Sequence, residues 1–129
     1  MNGYPLDHVA IAVRSIRASA ALFEPVTGHS CSIIEELPAH DVNVAFLGPL
    51  ELIEPRSAQS PVAQFIEQQG PGLHHVAYRV IDVAAALEDL KSRGFRLIDE
   101  KPRPGARGHQ VAFLHPEATG GTLIELVQR

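Results

Sequence analysis

The chain has 129 residues, 45% of them hydrophobic, and a formal net charge of −4, which suits one compact domain with an ordinary core. That charge supplies no global basic field for nucleic acid, and with 5% aromatics and no Trp a base-stacking platform is not expected. No membrane span or secretory signal is expected, and the single cysteine, Cys31, rules out an internal disulfide and fits a reducing cytoplasm.

In chain order, Leu6–Val13 alternates as a strand. Ser15 can cap a helix from about Ile16, which should stop near Glu24 because Pro25 has no backbone N–H to donate. Ser32–Leu37 reads as a second strand closed by Pro38. Val42–Leu47 and Leu50–Pro55 read as a hairpin about Gly48-Pro49, where glycine supplies the positive φ of a II′ turn. Pro61–Gln69 is a short linker helix ended by Gly70. Leu73–Val80 is the next strand, and Asp82 caps a helix whose buried stripe is Val83, Ala86, Leu87 and Leu90, ended by Gly94. Phe95–Asp99 reads as a strand and Lys101–Gly108 as a loop. His109–Leu114 and Thr122–Gln128 close the chain as a hairpin.

Two phrases recur at one spacing. LDHVAIAV at Leu6 matches LHHVAYRV at Leu73, and VAFL occurs at Val44 and again at Val111; both pairs lie 67 positions apart. The chain reads as a tandem duplication in which each half is a strand, a helix and three strands. His8 and His75 occupy one place in the two halves. Each half also ends on a strand that carries a glutamate in an apolar run, Glu51 in LELIEP and Glu125 in TLIELVQ. An unpaired buried carboxylate is costly; a cation removes the cost. Two imidazoles and two carboxylates, His8, Glu51, His75 and Glu125, suit a divalent first-row metal such as Co²⁺, Mn²⁺, Ni²⁺ or Zn²⁺. In an octahedral shell they leave two positions for a bidentate substrate. Ala10, Ala12 and Ala77 are small residues on the histidine faces and leave room for it. Strand alternation sends His74 to the other face; it reads as structural. His29, His40, His109 and His115 sit at turns or strand ends and read as surface. Arg79, on the His75 face, reads equally as a rim ion pair or as an anion contact.

These residues resemble the vicinal oxygen chelate superfamily, which includes glyoxalases, extradiol dioxygenases and bleomycin resistance proteins. Within it, LDHVAIAV, LELIEP, SPVAQFIEQQGPGLHHVAYRV, RLIDEKPRPGARG and VAFLHPEATGGTLIELVQ are most similar to the methylmalonyl-CoA epimerase family. The resemblance spans nearly the whole chain. It implies an α+β fold in which two tandem βαβββ modules (about 5–56 and 72–128, with a linker helix at about 61–69) form a single domain. Their mixed sheet would curl into a cup with its helices outside. It further implies one divalent metal ion, with Co²⁺ first and Zn²⁺, Mn²⁺ or Ni²⁺ as alternatives, an acyl-CoA substrate, and pairing as a homodimer. The implied reaction inverts C2 of methylmalonyl-CoA by removal and return of the α-proton through an enolate that the metal stabilises. Glu125 is the implied acid–base residue as well as a ligand. Arg79, Lys101, Arg103 and Arg107 are candidate contacts for CoA, since phosphates favour such side chains. Where the family commonly has a PEQGV-like segment this chain has PAHDV, so an opposite-face acid from that region would have to be replaced by His40, Asp41 or a water. The alternatives are a glyoxalase-type lyase or other metalloenzyme of the superfamily, and a binding protein without catalysis.

Overall fold

The computed structural model describes residues 3–129, and among them are eight strands and three α-helices. The strands pair in both parallel and antiparallel sense, the mixed α+β architecture expected. No helix among the described residues is long and apolar enough to cross a membrane. By its contacts the chain divides into two compact units, Val9–His74 and residues 3–8 with His75–Arg129.

In Val9–His74, strand β1 (Leu6–Ala12) contributes its later residues. It is followed by helix α1 (Ile16–Thr27), strands β2 (Glu35–Leu37), β3 (Val42–Leu47) and β4 (Leu50–Pro55), helix α2 (Pro61–Gln69) and the start of strand β5 (Gly72–Arg79). The sheet order here is β2-β3-β4-β1. Ser15 caps α1, its side chain accepting from Ala18 N. The helix does not end at Glu24 as expected. It runs through Pro25 to Thr27 and closes on Gly28, whose φ of 72° is left-handed and whose N–H reaches Glu24 O. Proline cannot donate inside that turn, and the turn is held from its end instead, where Glu24 accepts from Gly28 N through its carbonyl and from Cys31 N at 2.8 Å through its carboxylate. The expected strand from Ser32 shortens to Glu35–Leu37, although Ser32 N still donates to Phe46 O at 2.8 Å. The hairpin turns on Gly48 with φ 59°, and a Cβ there would meet the His29 ring at 2.6 Å.

The second unit holds the rest of β5, helix α3 (Val83–Ser92), and strands β6 (Arg103–Pro104), β7 (Gln110–Leu114) and β8 (Ile124–Gln128). Its order is β1-β5-β8-β7-β6, with the first residues of β1 belonging to it. The expected strand Phe95–Asp99 does not form. Only Leu97 makes a bridge, to Leu114. Ile98 N and Asp99 N both donate to Phe113 O, and the Asp99 carboxylate takes Phe113 N at 2.8 Å. A side chain thus fills the place of a backbone partner, which breaks the ladder. The edge strand appears later, at Arg103, inside the stretch read as a loop.

The duplication is visible in hydrogen bonds as well as in elements. Glu54 of β4 accepts from Ile16 N at 2.7 Å, the first residue of α1. Gln128 of β8 accepts from Val83 N at 2.9 Å, the first residue of α3. In both units a side chain from the last strand satisfies an orphan N–H at the helix start and fixes the helix on its sheet. On the helix side, Leu47, Leu52, Ala45 and Ile16 form one core cluster, and Leu87, Val83, Leu114 and Leu126 form its counterpart. Leu52 is 0% and Leu126 2% exposed. Truncating either to alanine leaves a hole in its own cluster. Leu52→Ala and Leu126→Ala should each lower the unfolding free energy by about 2–5 kcal/mol, read from denaturant midpoints.

Candidate metal centre

Strand registry builds the site. In the unit Val9–His74, β1 pairs parallel with β4 and sets Ala10 opposite Glu51. In the other unit β5 pairs parallel with β8 and sets Ala77 opposite Glu125. Each glutamate therefore lies beside the alanine two positions after its half's histidine. Paired residues on adjacent strands project to the same face, and alanine leaves the space above it open. Both glutamates are buried, Glu51 at 5% and Glu125 at 8% exposed.

In the second unit His8, His75 and Glu125 converge. Glu125 Oε1 lies 3.3 Å from His8 Nε2 and 3.5 Å from His75 Nε2, and the two rings sit edge to face at 5.8 Å. The His75 ring also meets Phe113 edge to face at 5.2 Å. Burial alone would push the Glu125 carboxyl upward. Hydrogen bonds and charge from His75 and His8 outweigh it and hold the group at about 2. Asp7, which the sequence reading passed over, bonds His8 Nδ1 through Oδ2 at 2.7 Å. Burial pushes Asp7 up too, but His8 and then Arg129 keep its carboxyl below the usual value. The signal for it was a carboxylate next to a histidine, in a position that the second half fills with His74.

His8, His75 and Glu125, all buried, are donors that could hold a metal ion. Their chemistry fits one: neutral imidazole and carboxylate are borderline and hard donors suited to divalent first-row metals. The two imidazoles offset the burial of the Glu125 carboxylate.

Arg79, Lys101, Arg103 and Arg107 lie in this unit as well. Registry places Arg79 opposite Val127, Val127 opposite Val111, and Val111 opposite Arg103. Arg79 and Arg103 therefore share the sheet face of His75, Ala77 and Glu125, over a floor of Ala77, Val111 and Val127. Arg103 Nε lies 3.3 Å from Asp99, and its guanidinium sits over Phe113 at 5.7 Å. Arg107 is exposed in a 3-10 turn with a left-handed φ of 59°, and Lys101 is exposed. His74 packs against Phe65 at 4.9 Å, a structural use. Within PAHDV, Asp41 accepts from the Ser57 hydroxyl and its carbonyl from Arg56 N, so it braces a loop. His40 and His115 are half-buried rather than at the open surface, and His115 caps a short turn by accepting from Glu117 N.

Comparison with known proteins adds the following. Residues 7–113 match the model of the Glyoxalase/Bleomycin resistance protein/Dioxygenase superfamily. An uncharacterised protein of Bacillus subtilis (strain 168), YqjC, is 42% identical over 95% of this chain and 91% of its own length. The ethylmalonyl-CoA/methylmalonyl-CoA epimerase of Cereibacter sphaeroides is 39% identical over 95% of this chain and 96% of its own. A solved methylmalonyl-CoA epimerase in complex with methylmalonyl-CoA and ammonium superposes with a TM-score of 0.93 at 29% identity, over 98% of this chain and 95% of that one.

The depressed Glu125 carboxyl makes a linkage expectation for the metal-free chain. Its stabilising contribution is complete above its ordinary value of 4.5 and is lost as the pH falls toward about 2, because the unfolded chain takes up the proton first. Denaturant midpoints measured in chelator should fall across that window, and Glu125→Gln should flatten the fall.

Proposed function

The chain belongs to the Glyoxalase/Bleomycin resistance protein/Dioxygenase superfamily, as an isomerase of its epimerase branch, and we propose that it interconverts (2R)- and (2S)-methylmalonyl-CoA with the help of one divalent metal ion. The observation that carries this reading is the convergence of His8 Nε2 and His75 Nε2 on one oxygen of Glu125. Glu51 is the fourth ligand in the proposal. It is the registry partner of Ala10, and β1 runs unbroken from Leu6 to Ala12, so alternation brings Ala10 to the same strand face as His8. Co²⁺ is the first choice of metal, with Zn²⁺, Mn²⁺ and Ni²⁺ accepted by the same donors.

When bound, the metal supplies Lewis-acid stabilisation of the negative charge that grows on the thioester oxygen as the α-proton leaves. The chain's own residues do the rest. Glu125 takes the α-proton; the C–H electron pair passes into the enolate, and a proton returned to the opposite face inverts C2. A carboxyl held at about 2 is a weak base at neutral pH. A bound cation lowers its basicity further, so the proton-abstracting state in this proposal is one in which the Glu125 carboxylate has shifted off the metal. Asp41 is committed to Ser57, which leaves His40 or a water as the second proton carrier. Ala10 and Ala77 provide the clearance a branched acyl group needs. Arg79 and Arg103 offer guanidinium groups on the Glu125 face for the anionic parts of the thioester, while Arg107 and Lys101, both exposed, would meet the CoA phosphates from outside. The homodimer and a cytoplasmic setting belong to the same reading, with a lone, half-buried Cys31 suited to a reducing compartment.

Exchange of the α-proton of methylmalonyl-CoA into deuterated water, followed by NMR with added Co²⁺, tests the proposal. Wild type should exchange, and Glu125→Gln should slow exchange by about 10²- to 10⁴-fold. No exchange by wild type, with turnover instead of a glutathione hemithioacetal, would move the chain to the glyoxalase-type reading.

A further inference from the structure

Asp7 and His8 are neighbours on β1, and strand alternation ordinarily turns neighbouring side chains to opposite faces. Asp7 nevertheless reaches His8 Nδ1 with Oδ2 at 2.7 Å. Its other oxygen accepts from Arg129, Nη2 at 2.9 Å and Nε at 3.1 Å. The Asp7 side chain is 7% exposed, that of Arg129 49%, so the carboxylate is enclosed while its anchor stays at the surface. The sequence reading assigned neither residue a role. The duplication does not repeat the arrangement, for His74 stands at the position equivalent to Asp7.

An ionised carboxylate can only accept hydrogen bonds. The contact therefore assigns a donor N–H to His8 Nδ1 and makes Nε2, 3.3 Å from Glu125 Oε1, the ring nitrogen turned to the metal centre. A carboxylate on the far ring nitrogen fixes the plane of an imidazole, selects its tautomer and makes it a better donor to a cation. Arg129 restrains Asp7 through a forked, two-nitrogen contact to a single oxygen, which keeps Oδ2 aimed at the ring.

We propose that Asp7, clamped by Arg129, is a positioning residue that orients His8 and fixes its tautomer for the metal centre. This rests on the metal reading above, but the orientation itself is open to measurement without metal. The experiment pairs Zn²⁺ titrations of the metal-free full chain, in competition with a chromophoric chelator, with ¹⁵N–¹H spectra of the His8 ring. Wild type, Asp7→Asn and Arg129→Ala are compared. Asp7→Asn keeps the shape of the side chain and removes its charge. It should weaken Zn²⁺ binding by about 10- to 100-fold, and Arg129→Ala by up to about fivefold, as befits a half-exposed ion pair. The His8 Nδ1–H signal should be present in metal-free wild type and should move or exchange with water in Asp7→Asn. A purely structural role would lower thermal stability and leave that signal where it was. The proposal is overturned if Nδ1 carries no proton in wild type, or if Asp7→Asn leaves both the affinity and the ring signal within error of wild type. Should wild type bind no Zn²⁺, the metal reading fails, and the metal-free ring signal alone decides the orienting role.

Discussion

Glu125 is a carboxylate flanked in its own sheet by Ala77 and Phe113, and burial of such a group is unfavourable unless charge and hydrogen bonds answer it. Two imidazoles do so. Each is held in turn, His8 by Asp7 at its Nδ1 and the His75 ring by an edge-to-face contact with Phe113. Much of the unit's arrangement serves this contact. Parallel pairing of β5 with β8 brings the glutamate beside an alanine rather than a bulky neighbour. The opposite face of the same strands is left to Leu126, Ala112 and Leu114 against α3. One sheet thus separates an apolar packing face from a face that holds ionisable groups.

The two halves share their scaffold more faithfully than their electrostatics. Equivalent registry, Ala10 with Glu51 and Ala77 with Glu125, and equivalent helix anchors, Glu54 on Ile16 and Gln128 on Val83, survive from the duplication because backbone geometry requires them in both copies. The residues that precede the histidines have diverged, to Asp7 in one half and His74 in the other. Divergence there changes how one imidazole is held without disturbing the strand that carries it. The edge strands, by contrast, keep their places: β2 at Glu35–Leu37 and β6 at Arg103–Pro104 lie at the spacing of the repeat, each antiparallel to the strand that follows it.

Much of this was legible in the chain itself. The 67-residue repeat gave the strand–helix–strand order, and the alternation around His8 and His75 gave the face on which they lie. Glutamates in apolar runs announced their own burial, since no other placement lets Leu52 and Leu126 enter the cores beside them. Local rules went wrong where tertiary contacts outweighed them. Pro25 lies inside α1, where the residues after it close on Glu24, which accepts from Gly28 N and Cys31 N. Phe95–Asp99 alternates like a strand, yet Asp99 captures the backbone N–H of Phe113 and replaces the ladder.

Residue identity and spacing determined which groups could bind a cation and which strands would carry them, because period-two alternation and the cost of a buried charge are local facts. The tertiary structure alone decided that Asp7 and Arg129, 122 positions apart, meet behind His8, and that Glu125 approaches both imidazoles at once. Contacts between distant positions depend on how strands pair and where side chains turn, and no local pattern encodes that.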